Sequence, residues 1–115
     1  MSELSAKDYL KQIKKIDTQI ANKAFEMQTL LSQGLIDMAS IETQHIAALQ
    51  SQKREIIAVI EQLPEAEYDV LHKVYVQDKT LQEVASDRNI SYSLVTTIHG
   101  KALKMVEKLI CVVMC

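Results

Sequence analysis

Hydroxyl side chains followed by lysines form a cluster near the carboxyl end of the chain. Hydroxyls and backbone N–H groups at the start of a helix suit phosphate oxygens and base edges. Lysines that follow can neutralise backbone phosphates. This chemistry predicts contact with double-stranded DNA. The predicted DNA-binding residues are Thr80, Ser91, Tyr92, Ser93, Thr96, Thr97, Lys101 and Lys104.

Two helices joined by a tight turn would position this cluster. Thr80 can cap the first helix, in which Leu81, Val84 and Ala85 form one apolar face at spacings of 3 and 1. Asn89 tolerates the left-handed conformation that often follows a helix. The second helix can be capped by Ser91, and its apolar residues are Val95, Ile98, Ala102, Val106 and Leu109. The pattern is typical of a helix-turn-helix, which inserts its second helix into the DNA major groove.

The amino-terminal half predicts two long helices. The first begins near Ser5 and ends near Gln33, because Gly34 can terminate it. Its apolar stripe is Leu10, Ile13, Ile16, Ile20, Ala24, Met27 and Leu31. The second helix spans about 37–63, with Asp37 or Ser40 as its cap. The short connection makes the two helices antiparallel neighbours.

The inner face of the second helix is less regular. Its predicted stripe is Ile41, His45, Ala48, Leu49, Gln52, Ile56, Val59 or Ile60, and Leu63. The polar members, His45 and Gln52, either form a buried polar pair that sets register or lie at the edge of the stripe and reach water. We favour the second interpretation.

A third helix should begin at Pro64, which fits a first helical turn and is followed by acidic residues. It should run to about Gln77 and pack behind the helix-turn-helix. The predicted fold is therefore all-α. Residues 1–63 form a long antiparallel helical hairpin, and residues 64–115 form a three-helix helix-turn-helix domain.

Two helices leave apolar surface exposed, so the hairpin is expected to form a homodimer as a four-helix bundle. Packing against the C-terminal domain is the alternative. The predicted oligomerisation residues are Ile13, Ile16, Ile20, Met27, Leu49, Ile56 and Ile60. The apolar tail, residues 110–115, either docks onto the hairpin or a second subunit or is a frayed terminus.

The charge distribution and the cysteine and histidine positions limit the possible functions. The formal net charge is −2, but residues 88–115 carry four Lys or Arg and one Glu, which places positive charge where DNA binding needs it. Cys111 and Cys115 lie at i, i+4, a spacing that does not favour a disulfide within one helix. The histidines are scattered, so we expect no metal and no cofactor. No catalytic constellation is present, so an enzyme is not expected.

At residues 75–85 and 90–103 the chain resembles region 4 of bacterial sigma factors. It resembles still more the small sigma-like proteins of Gram-positive prophages, including the ArpU-like and RinA-like late transcription regulators. Residues 6–10 and 53–64 also resemble an uncharacterised prophage family with an N-terminal helical hairpin. Asn89 stands where Gly is common, Thr96 and Thr97 where Arg is often seen, and the tail is more apolar than in that family.

The resemblance implies a phage or prophage regulator that reads a promoter or operator with the helix at 91–109, in the cytoplasm of a bacterial host. Two alternatives remain open. One is a protein-binding module that inhibits or recruits a host protein, such as RNA polymerase or a defence nuclease. The other is a small terminase-like subunit for DNA packaging.

Overall fold

The computed structural model describes residues 5–114, and every regular element among them is a helix. Helix α1 spans Ala6–Ser32 and α2 spans Ile36–Ile60. Helix α3 spans Glu65–Leu71 and continues as a π-helical turn, His72–Val76. Helices α4 and α5 span Leu81–Arg88 and Tyr92–Met114. The predicted all-α class is confirmed.

Local chemistry sets the limits of α1. The Ser5 hydroxyl accepts a hydrogen bond from the Asp8 N–H at 3.1 Å, which satisfies one of the unpaired donors at the helix start. At the other end Gly34 has φ +77°, a left-handed conformation that side chains disfavour. The chain then reverses, so α1 and α2 pack side by side and antiparallel. Asp17 on α1 meets Lys53 on α2 at 2.7 Å.

The inner face of α2 differs from the predicted one between residues 41 and 53. Glu42 and Lys53 face α1, whereas four predicted inner residues are exposed, namely Ile41, His45, Ala48 and Gln52. The reason is ion pairing: Lys23 lies 3.3 Å from Glu42, and Asp17 pairs with Lys53. The interpretation that His45 and Gln52 reach water is confirmed. The start of α2 also differs, because its N-cap is Leu35, with no side-chain cap.

The larger of two apolar clusters joins the base of the hairpin to α5. It brings the first turns of α1 and the last turns of α2 against Ala102, Val106 and Ile110. Four residues predicted to oligomerise lie in this cluster, namely Ile13, Ile16, Ile56 and Ile60. They are at most 5% exposed, so they are occupied by packing within the chain. Because α5 covers them, the base of the hairpin has little apolar surface left for a second copy.

The other predicted oligomerisation residues, Ile20, Met27 and Leu49, are half-buried between the two helices. At the start of the apolar tail, Ile110 docks into the larger cluster and is 6% exposed. Cys111 is exposed. The structure does not describe the side chains of residues 112–115. The prediction about Cys111 and Cys115 therefore lies outside the described residues.

The far end of the hairpin exposes large apolar side chains. Phe25 is 73% exposed and Ile36 is 70% exposed. We call the exposed apolar side chains at this end of the hairpin the tip patch, and they are Phe25, Leu31, Leu35, Ile36, Met38 and Ile41. No helix in the described part of the chain is both long and apolar enough to cross a membrane.

Candidate nucleic-acid interface

The start of α4 is held by a reciprocal pair of hydrogen bonds. The Glu83 N–H donates to the Thr80 hydroxyl at 3.2 Å, and the Thr80 N–H donates to the Glu83 carboxylate at 3.0 Å. This is a capping box, which the sequence prediction anticipated only in its Thr80 half. Val84 and Ala85 are buried in the second apolar cluster, together with Val70 and Val95. The short helix is therefore fixed against α5 by both its cap and its apolar face.

The turn between α4 and α5 has the predicted geometry. Asn89 adopts φ 58° and ψ 44°, the left-handed conformation. The Ile90 N–H donates to the Ala85 carbonyl at 3.0 Å, and its side chain packs against the second cluster. The Ser91 hydroxyl then accepts from the Leu94 N–H at 3.1 Å and caps α5. These contacts set the angle at which α5 leaves the turn.

Helix α5 buries one face and exposes the predicted cluster on the other. Val95, Ala102 and Val106 are fully buried. The predicted DNA-binding residues are all exposed, including Tyr92, which is 54% exposed. The structure brings Ser91, Tyr92, Ser93, Thr96, Thr97, Lys101 and Lys104 onto one helix, and Thr80 onto the start of its neighbour. Sequence reasoning passed over Leu94, an exposed apolar side chain in the same first turn of α5.

The threonine hydroxyls have partners within α5. Thr96 donates to the Tyr92 carbonyl at 2.9 Å, and Thr97 donates to the Ser93 carbonyl at 3.1 Å. Their hydroxyl hydrogens are therefore engaged, while both side chains remain exposed. Such a surface can accept hydrogen bonds and can contact the thymine methyl group.

Arg88 joins two helices of the motif and adds little to the positive charge of the surface. Its guanidinium lies 2.7 Å from Asp69 and 3.3 Å from Glu65, which ties α4 to α3. Burial alone would raise the pKa of Asp69, but hydrogen bonds from Arg88 and Lys73 outweigh it and lower that pKa. Arg88 is one of the four positive charges of residues 88–115. Because two carboxylates neutralise it, the surface charge of that segment comes from its lysines.

A tyrosine–histidine pair lies between the π-helical turn and α5. The Tyr75 hydroxyl is 2.9 Å from His99 Nε2, and the two rings stack with centroids 5.8 Å apart. Burial lowers the pKa of His99, and the nearby Lys7 ammonium lowers it further. The effect of Lys7 reflects how close the start of α1 runs to α5.

Sequence reasoning missed a row of lysines on α1. Lys7, Lys11, Lys14 and Lys15 lie at i, i+4, i+7 and i+8, so they share one face of the helix. They line an open groove whose opposite side includes Thr80. The spacing was visible in the sequence, but only the fold places this face beside the helix-turn-helix.

Residues 59–108 match the family model for sigma-70, region 4. That family is a helix-turn-helix DNA-binding family and not a catalytic one. The match covers α3, the π-helical turn, α4 and most of α5, which are the elements that hold the exposed cluster. No curated protein and no solved structure matches the chain.

Proposed function

We propose that this protein is a transcription regulator of a phage or prophage, acting in the cytoplasm of a bacterial host. It would read a promoter or operator with α5. One observation carries the proposal: the segment similar to sigma-70, region 4 holds α5 by its apolar face and exposes the polar cluster at its start. A helix presented in this way suits insertion into the major groove.

In the proposed complex the first turns of α5 lie in the major groove. Tyr92 and Thr96 contact base edges, because both are exposed on the outer face of those turns. Lys101 and Lys104, farther along the same helix, bind backbone phosphates. The exposed Thr80 hydroxyl, which accepts from the Glu83 N–H, can donate its own hydrogen to an adjacent phosphate. This division assigns sequence discrimination to the turns of α5 nearest Ser91 and overall affinity to the lysines.

The test begins with selection of bound duplexes from a random DNA pool, followed by fluorescence polarisation on the selected site. Replacing Tyr92 or Thr96 by Ala should reduce discrimination between the selected site and an unrelated one by about 1–3 kcal/mol. Lys101→Ala should weaken binding to both DNAs alike and reduce the salt slope by about 1. Arg54→Ala, which removes an exposed charge from α2, is the matched control. Absence of wild-type binding at low salt would refute the proposal.

We also propose that the protein forms a homodimer through the tip patch. Large exposed apolar patches are typical of interaction sites. At the base of the hairpin α5 supplies a third helix, whereas at the tip the described residues supply only α1 and α2. The same surface on a second copy would supply the two missing helices of a four-helix bundle, with the two-fold symmetry usual for dimers.

Sedimentation equilibrium at micromolar concentration tests this dimer. The wild type should show a dimer mass, and the double variant Phe25→Ser/Ile36→Ser should be a monomer with unchanged helix content. Leu94→Ser removes an exposed leucine outside the tip patch and should stay dimeric. A monomeric wild type would instead favour a host protein, such as RNA polymerase or a defence nuclease, as the occupant of the patch. A ring-sized mass would favour a DNA-packaging subunit.

A further inference from the structure

A groove between α1 and the start of α4 is lined by lysines that lie mostly on α1, outside the helix-turn-helix. Its volume is about 670 Å³, and its lining includes the four lysines of α1, together with Asp78 and with Lys79, whose charge is paired with Asp87. We infer that this groove binds the sugar–phosphate backbone of the same duplex that α5 reads. The inference rests on the proposed function and adds a second, separate contact to it.

The lysines on α1 are arranged to follow a DNA strand. From Lys7 to Lys15 the helix rises about 12 Å, so the row is long enough to reach more than one phosphate of a strand, whose phosphates recur roughly every 3.4 Å along the duplex axis. Lys7, Lys11 and Lys15 form no ion pair with any residue of the described range. Lys14 is 3.4 Å from Asp78, but both side chains are more than 70% exposed. Such a surface pair is weak and can exchange for a phosphate.

The floor of the groove is apolar and suits the deoxyribose part of a nucleotide backbone. It contains Val74, Tyr75 and Leu81, which offer apolar surface below the lysines. Deoxyribose carbons can pack on such a floor while the phosphate oxygens reach the ammonium groups at the rim. Thr80 also lines the groove. It therefore joins the groove to the start of α4, where a phosphate is already expected.

Packing holds the lysine row at a constant position relative to α5. Leu10 and Ile13, on the opposite side of α1, are fully buried in the cluster that contains Ala102 and Val106. His99 lines the groove and lies three residues after Thr96, so the groove and the DNA-reading cluster are neighbours on α5. One straight segment of duplex can therefore touch both surfaces.

An acidic protein segment is the competing ligand, and geometry favours DNA. The groove is continuous with the exposed turns of α5 through His99 and with α4 through Thr80. The chain carries a net charge of −2, so attraction to any polyanion must come from local strips such as this one. A regulator whose recognition helix has threonines at 96 and 97 gains affinity from such a strip.

The experiment uses the full chain and the duplex selected by the wild type. Lys11→Glu reverses one charge in the middle of the row, and Arg54→Glu makes the same change in net charge elsewhere on the hairpin. Lys11→Glu should weaken binding roughly tenfold at 100 mM salt and lower the salt slope by about 1. Arg54→Glu should change neither quantity appreciably. Circular dichroism should show equal helix content for all three proteins.

A second measurement tests the place of contact. Shortening the duplex stepwise from either end should, at one end, weaken wild-type binding but leave Lys11→Glu binding unchanged, because the variant has already lost that contact. Equal losses for Lys11→Glu and Arg54→Glu would overturn the groove inference while the α5 proposal stands. Unchanged DNA binding with lost binding to polyglutamate would assign the groove to an acidic protein and also overturn it. A wild type that binds no DNA overturns both proposals.

Discussion

The two ends of the hairpin are built from the same two helices and yet differ in what surrounds them. At the base, Leu10, Ile13 and Ile60 are fully buried because α5 packs across them. At the tip, only Ala39 and Glu42 are buried, and the six residues of the tip patch are exposed. An apolar stripe on two helices is thus a core only where a third helix covers it. The base anchors the helix-turn-helix half, and the tip leaves large apolar side chains exposed.

The largest expected effect separates the two ends directly. Ile13→Ala at the base should lower the free energy of unfolding by about 3 kcal/mol, because it leaves a cavity in a packed core. Ile41→Ala at the tip should change it by less than about 0.5 kcal/mol. Urea denaturation at submicromolar protein concentration, where self-association is minimised, measures both. Similar losses at the two sites would show that the tip is covered as well as the base.

Substitutions of Glu42 and its partner Lys23, near the tip, should have effects of intermediate size. Its carboxylate is inside the hairpin, 3.3 Å from both Lys23 and the His45 ring. The pKa of Glu42 is lowered, first by hydrogen bonding with Glu26 and then by Lys23, against the opposing effect of burial. Glu42→Leu removes the buried member of the pair, whereas Lys23 keeps a second carboxylate, Glu26, at 3.7 Å and is itself partly exposed. We expect Glu42→Leu to keep or raise the thermal midpoint, and Lys23→Leu to lower it because Glu42 then loses its cation.

The smallest expected effect is a loss of stability at acidic pH caused by His99, which lies beside the base of the hairpin. Because burial lowers its pKa below 6.5 in the folded protein, the unfolded chain binds a proton first as the pH falls. Stability from this group is therefore complete above about pH 6.5 and decreases as the pH falls from there toward the folded pKa. Thermal melts between about pH 7.5 and about pH 5.5 should show this loss, and His99→Gln should reduce it. An equal loss in the variant would assign the pH dependence to other groups.

The parts of the fold that depend on neighbouring residues were predictable from the sequence. Thr80, Asn89 and Ser91 act within one turn of the chain, through a cap, a left-handed residue and a second cap. Their chemistry is local, so residue type and position were sufficient. The burial of Val84, Ala85, Val95, Ala102 and Val106 was predictable for the same reason, since the spacing of apolar residues defines a helix face.

The inner face of α2 was predicted in the wrong phase between residues 41 and 53. Ile41 and His45 fit a helical stripe as well as Glu42 does, and hydrophobicity favours Ile41 over Glu42. The decision came from α1, where Lys23 and Asp17 offer partners to Glu42 and Lys53. Ion pairing across two helices depends on their register, which is a tertiary property.

The charge pattern shows the same division. Arg88 reads as a surface charge in sequence, but Glu65 and Asp69 hold it from another helix. Lys7, Lys11 and Lys15 read as an ordinary solvated face, but the fold sets them beside Thr80 and His99. No spacing along the chain could reveal either neighbourhood.

The sequence by itself determined the helices, the caps at Ser5, Thr80 and Ser91, and the helix-turn-helix with its exposed cluster, because each depends on contacts within a few residues. The tertiary structure alone decided which end of the hairpin is core, which end is surface, and which charges meet. The physical reason is coverage: burial and electrostatic pairing depend on what packs across a helix face. For this chain α5 packs across the base of the hairpin, whereas no described element covers the six exposed apolar side chains at the tip.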